Sequence, residues 1–163
     1  VHFEAEHHFD GPLHAVVAVL CDPAFYLALD LPDVHRPDLL GHDVHDGRTV
    51  LRLRYEFAGN LDPMAQRLVG ADHLAWIQEL GIDPAAATGT LHFEAEREPQ
   101  RLHGDATFTL DTTGSATIRH LHGDLVVAVP AIGRSIERRL VPGILSRLDV
   151  EADGVEAQLR HGA

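Results

Sequence analysis

The 163-residue sequence contains no lysine; all 13 of its basic residues are arginine. That absence excludes a lysine-bearing phosphate loop, Schiff-base catalysis and a pyridoxal anchor. The single cysteine, Cys21, excludes an internal disulfide and fits a reducing compartment; it reads as a small buried side chain near a helix end. Long apolar runs are missing too. The longest, around residues 13–21 and 125–132, are far too short to span a bilayer. The first residues alternate with acids instead of running from basic to apolar, so a targeting segment is not expected and a cytoplasmic protein is. There is no G-x-S-x-G, and Ser115, Ser135 and Ser146 fall at a turn and on a helical pattern, which gives nucleophilic catalysis little support.

Charge of positive sign is also scarce. The net charge is −12 with histidines neutral, which argues against nucleic acid and anionic membranes as partners. Protonating all 13 histidines would bring the net charge to +1, so a solubility minimum is expected between about pH 7 and 5. The histidines are dispersed. His120 and His122 share a strand face if no bulge intervenes, but zinc normally takes at least three protein ligands and no third is specified. His7 and His8, and His42 and His45, point apart on extended strands. No metal or other cofactor is expected.

What is present is ordinary for a globular chain, with 45% apolar and 23% charged residues. One domain spanning residues 1–163 is expected. Residues 1–9 alternate, with Val1, Phe3, Ala5, His7 and Phe9 on one face. Asp10 as an N-cap with Pro12 in the first turn, then Asp22-Pro23, predict two short helices carrying Leu13, Val16, Val17 and Leu20, then Phe25, Tyr26 and Leu29. Residues 39–45 and 48–57 read as strands joined by Asp46-Gly47, a hairpin turn that needs positive φ. Residues 59–70 are a connection with a helical turn at 63–68, and strands are predicted over 73–80, 90–97, 102–110 and 115–129. In the last of these Ile118 and Leu125 are out of phase, and a bulge at Gly123 would restore the register.

The final segment carries the strongest pattern. Ile136, Leu140, Ile144, Leu148, Ala152, Val155 and Leu159 fall at steps of three and four, on one face of a long helix. Pro142-Gly143 interrupts it, so a kink or a break into two helices is expected, as a static bend or as the hinge of a lid. The order is β-α-α-β-β-β-β-β-β-α. An antiparallel sheet with one long amphipathic helix must lay that helix across its apolar face. If the sheet curves, the two enclose a cavity.

This layout resembles the helix-grip fold of the START-like superfamily, also called Bet v 1-like or SRPBCC. Within it, the chain resembles the bacterial family DUF2505. The stretches that carry the resemblance are FDGPLHAVVAVLCDPAFYLAL, LRLRYEFAGNL followed by LAWIQE, and GDLVVAVPAIGRSIERRLVPGILSRLDVEADGVEAQL. In the last, Val127-Ala128-Val129-Pro130 leads through Ile132-Gly133 to Glu137 at the helix start. The resemblance implies an α+β helix-grip fold: about seven curved antiparallel strands wrapped around the C-terminal helix, with two short helices after the first strand. It also implies a ligand that is lipid- or polyketide-like, as is usual in the superfamily, where some members are aromatase/cyclases.

Alternation sets the expected site. Phe57, Trp76, Phe93, Phe108 and Ile118 face inward from the strands, and Ile136, Leu140 and Ile144 from the helix, with Tyr55, Gln78, Arg97 and His120 as polar groups on the same faces. Tyr55 would donate a hydrogen bond to a ligand carbonyl or stand as a core aromatic; Arg97 would pair with a carboxylate or reach solvent. No spacing singles out a catalytic residue. Binding of a small hydrophobic molecule, without chemistry, is the expected function. A cyclase or dehydratase using acid–base groups in the same cavity, and a protein-interaction module with a filled cavity, are the alternatives.

Overall fold

The computed structural model describes residues 1–70 and 73–162. Strand β1 (His2–Phe9) leads into helices α1 (Leu13–Leu20) and α2 (Pro23–Ala28). Strands β2 (Asp38–His45) and β3 (Arg48–Glu56) follow, then helix α3 (Pro63–Val69). Strands β4 (Ala75–Asp83), β5 (Thr88–Ala95), β6 (Leu102–Thr113) and β7 (Ala116–Val127) complete the sheet, and helix α4 (Gly133–His161) ends the chain. The seven strands form one curved antiparallel sheet in the order β1-β7-β6-β5-β4-β3-β2. Strands β2 to β7 are a meander of sequential neighbours, and β1 closes against β7.

Local chemistry accounts for the joints. Asp46 and Gly47 both take positive φ, 51° and 76°, as a two-residue hairpin demands. The Asp22 carboxylate accepts from the Ala24 amide at 2.9 Å and Pro23 opens α2. Asp10 does not cap α1: Pro12 occupies that position, and the Asp10 amide donates instead to Glu156 on α4 at 2.6 Å. Helix α3 is longer than a turn because Asp62 caps it, accepting from Ala65 at 2.8 Å, and Gly70 ends it with φ of 63°.

One expectation is corrected, and one of two alternatives is settled. Strand β7 has no bulge. Its pairing with β6 and with β1 is unbroken, so Thr117, Arg119, Leu121, Leu125 and Val127 all point inward and Ile118 and His120 outward. Helix α4 does not break at Pro142 but runs through it for 29 residues. Pro142, Gly143 and Arg138 are all exposed, so the carbonyl four residues back that loses its donor lies on the solvent side, where water replaces it.

The core lies between the inward sheet face and α4. Leu148, Ala152 and Val155 are buried where the second half of α4 packs on β1, β7 and α1. The start of α4 is pinned to the end of β7: the Glu137 carboxylate accepts from the Val127 amide at 3.0 Å. At Gly133 a Cβ would sit 2.2 Å from the Val127 carbonyl oxygen, so only glycine permits this approach. The Gly133-to-Glu137 spacing is therefore a backbone joint between strand and helix. No helix is long and apolar enough to cross a membrane among the described residues.

Candidate functional site: a cavity between sheet and helix

On the side of α4 turned away from β1 and β7, sheet and helix part around an open space. Leu140 and Ile144 are only half buried because they face a cavity of about 370 Å³. One wall is the sheet: Tyr55 on β3, Phe57 just after it, Trp76 and Gln78 on β4, Leu91, Phe93 and Ala95 on β5, then Leu102 and Leu125. The other is α4, through Ile136, Leu140, Ile144, Arg147, Leu148 and Glu151. Leu29 and Leu31 after α2, and residues 60–62 with Met64, Ala65 and Leu68 of α3, form the rim. Across that rim Arg139 reaches Asp62 at 3.8 Å, an ion pair between two largely exposed side chains.

Eight of the twelve expected site residues lie on this wall: Tyr55, Phe57, Trp76, Gln78, Phe93, Ile136, Leu140 and Ile144. Four do not. Arg97 lies beyond the end of β5 and is exposed. Phe108 is buried, but its ring occupies the space beside Gly89, where a Cβ would meet it at 2.0 Å. Ile118 and His120 sit on the outer face, where His120 faces Glu6 at 3.2 Å and Asp111 at 3.5 Å. The paired histidine His122 is exposed beside it, and no group of three or more metal-ligating side chains occurs among the described residues.

The alternation missed three charged groups. Arg119 is fully buried. Its Nη1 donates to Glu151 at 2.6 Å, and its Nε and Nη2 lie 3.3 and 3.1 Å from Nδ1 of His7, its partner across the β1–β7 pair. The guanidinium lies over the Phe9 and Phe108 rings, 5.7 and 5.9 Å from their centroids. His7 Nε2 reaches Asp149 at 3.1 Å. Burial, then the Arg119 charge, push the His7 pKa below its usual value. The imidazole is therefore neutral, with Nδ1 accepting from Arg119 and Nε2 donating to Asp149.

Glu151 is the member of this network that reaches the cavity. Close by, Tyr55 stacks on Trp76, ring centroids 5.5 Å apart and planes 14° apart. Burial, then the Glu151 charge, raise the Tyr55 hydroxyl well above the usual tyrosine range. Arg147 also sits over Trp76, its guanidinium carbon 5.2 Å from the ring centroid. Its Nε is buried without a hydrogen-bond partner among the described residues. Burial lowers its pKa, and the Asp33 carboxylate offsets part of that.

A curved seven-stranded antiparallel sheet gripping a C-terminal helix, with short helices after the first strand, is the helix-grip fold of START-like proteins. The chain belongs to the family DUF2505, "protein of unknown function", whose model matches residues 4–159. Among solved structures it is similar to TTHA0849 from Thermus thermophilus (15% identity, TM-score 0.67, covering 100% of this chain and 99% of that one). The Zhui aromatase/cyclase from Streptomyces sp. R1128 is similar at 17% identity and TM-score 0.67, covering 100% and 98%. A START superfamily protein from Mycobacterium smegmatis is similar at 14% identity and TM-score 0.63, covering 99% of each chain. No curated protein matches by sequence.

Proposed function

We propose that the protein binds a small hydrophobic molecule between sheet and helix and carries it unchanged, in a cytoplasmic setting. The observation that supports this is the open cavity of about 370 Å³, walled mainly by leucine, isoleucine and aromatic side chains. Enclosing roughly 200–300 Å² of apolar ligand surface would supply roughly 5–8 kcal/mol before the entropy of association is subtracted. An interaction module with a packed-shut interior fits poorly with this open space.

The polar groups on the wall favour carriage over catalysis. A general base works best near neutral pKa. Glu151 is committed to Arg119, and the Tyr55 hydroxyl is pushed away from neutrality. The likeness to an aromatase/cyclase keeps a cyclase reading as the alternative; cyclisation of a polyketide-like substrate, lost on Tyr55→Phe, would establish it.

Trp76 is the sole tryptophan and lines the cavity, so its emission reports occupancy. Titration with decanol should change that emission saturably, and native mass spectrometry of freshly purified protein should show a bound small molecule. Emission indifferent to aliphatic alcohols, fatty acids and planar aromatics, with no co-purifying mass, would overturn the proposal.

A further inference from the structure

Among the described residues, the cavity's charges balance with one exception. Glu151 is matched by Arg119 at 2.6 Å and Asp62 by Arg139 at 3.8 Å. Gln78 and Asn60 are neutral. Arg147 has no carboxylate within 4.0 Å among the described residues; the Asp33 carboxylate acts on it only from farther off. The protein holds it by stacking on Trp76, and its Nε–H is sealed from water without an acceptor. A buried donor left unpaired is costly, and a guanidinium offers a planar fork that fits a carboxylate on two nitrogens.

Arg147 also lies in the middle of the apolar stripe, one turn from Ile144 and next to Leu148. A charge needed only for solubility would sit on the opposite face, as Arg134 and Arg138 do. Its partner must therefore enter the cavity and carry its negative charge on a planar group that matches the fork. Cationic ligands would be repelled, and neutral ones would leave the fork empty. One unmatched cation calls for one negative charge, because Glu151 and Asp62 repel a second.

We infer that the ligand is an amphipathic monocarboxylate, with its apolar body along Leu91, Phe93, Leu140 and Ile144 and its carboxylate paired with Arg147 beside Trp76. This rests on the proposed carriage of a hydrophobic molecule and names its class.

The test compares matched acids and alcohols: decanoate with decanol, and 2-naphthoate with 2-naphthalenemethanol, titrated calorimetrically at pH 7.5. Each acid should bind about tenfold or more tightly than its alcohol. Arg147→Met should lower acid affinity to that of the alcohol and leave alcohol affinity unchanged, while Arg147→Lys keeps part of the preference. Wild-type protein that binds alcohols as tightly as acids overturns this inference and leaves hydrophobic carriage standing. An acid preference that survives Arg147→Met overturns it too. Failure of all four compounds to bind overturns both readings. The wild-type comparison stands even if a variant does not fold.

Discussion

Arg119 of β7 and Glu151 of α4 form a buried ion pair, 2.6 Å between Nη1 and Oε1, with the arginine 2% and the glutamate 15% exposed. It fastens the second half of the helix to the sheet at the closed end of the fold, opposite the cavity's rim. Two buried charges gain little over a well-packed apolar pair, but removing one strands the other. Arg119→Met should therefore cost about 3 kcal/mol or more. Adding Glu151→Met to that variant should recover at least half. Urea unfolding of both single variants and the double measures the coupling, and strictly additive losses would show that the pair is not one unit.

His7 makes this network sensitive to acid. Its pKa is lowered by burial and by Arg119, so the folded protein resists the proton that the unfolded chain accepts. A depressed pKa contributes stability that is complete above the unfolded value, near 6.5, and is lost as pH falls from there through the folded value. His2 and His92 shift upward, through hydrogen bonds to Glu4 and Asp105, and act in the opposite sense. His2 is on the surface and His92 largely so, which makes His7 dominant. Wild-type stability should fall from pH 7 to pH 5 more steeply than that of His7→Gln. Parallel curves in urea unfolding across that range would place the acid sensitivity elsewhere.

The same network shows where the sequence stops being legible. The fold could be read because strands alternate strictly and α4 repeats at three and four. In β7 that signal misled. Ile118 is the apolar residue on the outer face and Arg119 the charged one inside, so matching hydrophobicity to burial demanded a bulge that does not exist. Following the odd phase back from Val127 through Leu125 and Leu121 reaches Arg119 with no irregularity. Arg147 went unread, because a charge on a helix looks solvated until Trp76 is seen beneath it. The rim was not: Leu29, Leu31, Leu61 and Met64 come from loops and a short helix, where no period marks a face. Phe108 had the right phase, and only Gly89 across the strand pair leaves the space that its ring fills.

Two glycines of α4 should respond oppositely to alanine. At Gly133 the added methyl would stand 2.2 Å from the Val127 carbonyl oxygen, forcing the helix start off β7 and stretching the Glu137 contact. Gly133→Ala should cost about 2 kcal/mol or more. At Gly143 the nearest atom is 3.7 Å away, on the flexible Arg147 side chain, and the position is exposed within the helix. Gly143→Ala should stabilise by about 0.5–1 kcal/mol. Thermal melts of the two variants check the signs; equal effects would mean that the Gly133 approach is not tight.

Filling the cavity should separate stability from binding. Ile144 lies half buried on the helix wall, opposite Trp76 and Phe93 on the sheet. In a packed core a larger side chain costs about 1–3 kcal/mol through strain. Here the space is already open, so Ile144→Phe should leave stability within about 0.5 kcal/mol of wild type or raise it. The same ring would occupy the volume a ligand needs, and decanol affinity should drop by about tenfold or more. Thermal melts and Trp76 emission titrations measure both quantities on one sample. A strongly destabilised variant would mean that the wall is packed and the space between sheet and helix closed; undiminished decanol binding would move the ligand out of this cavity altogether.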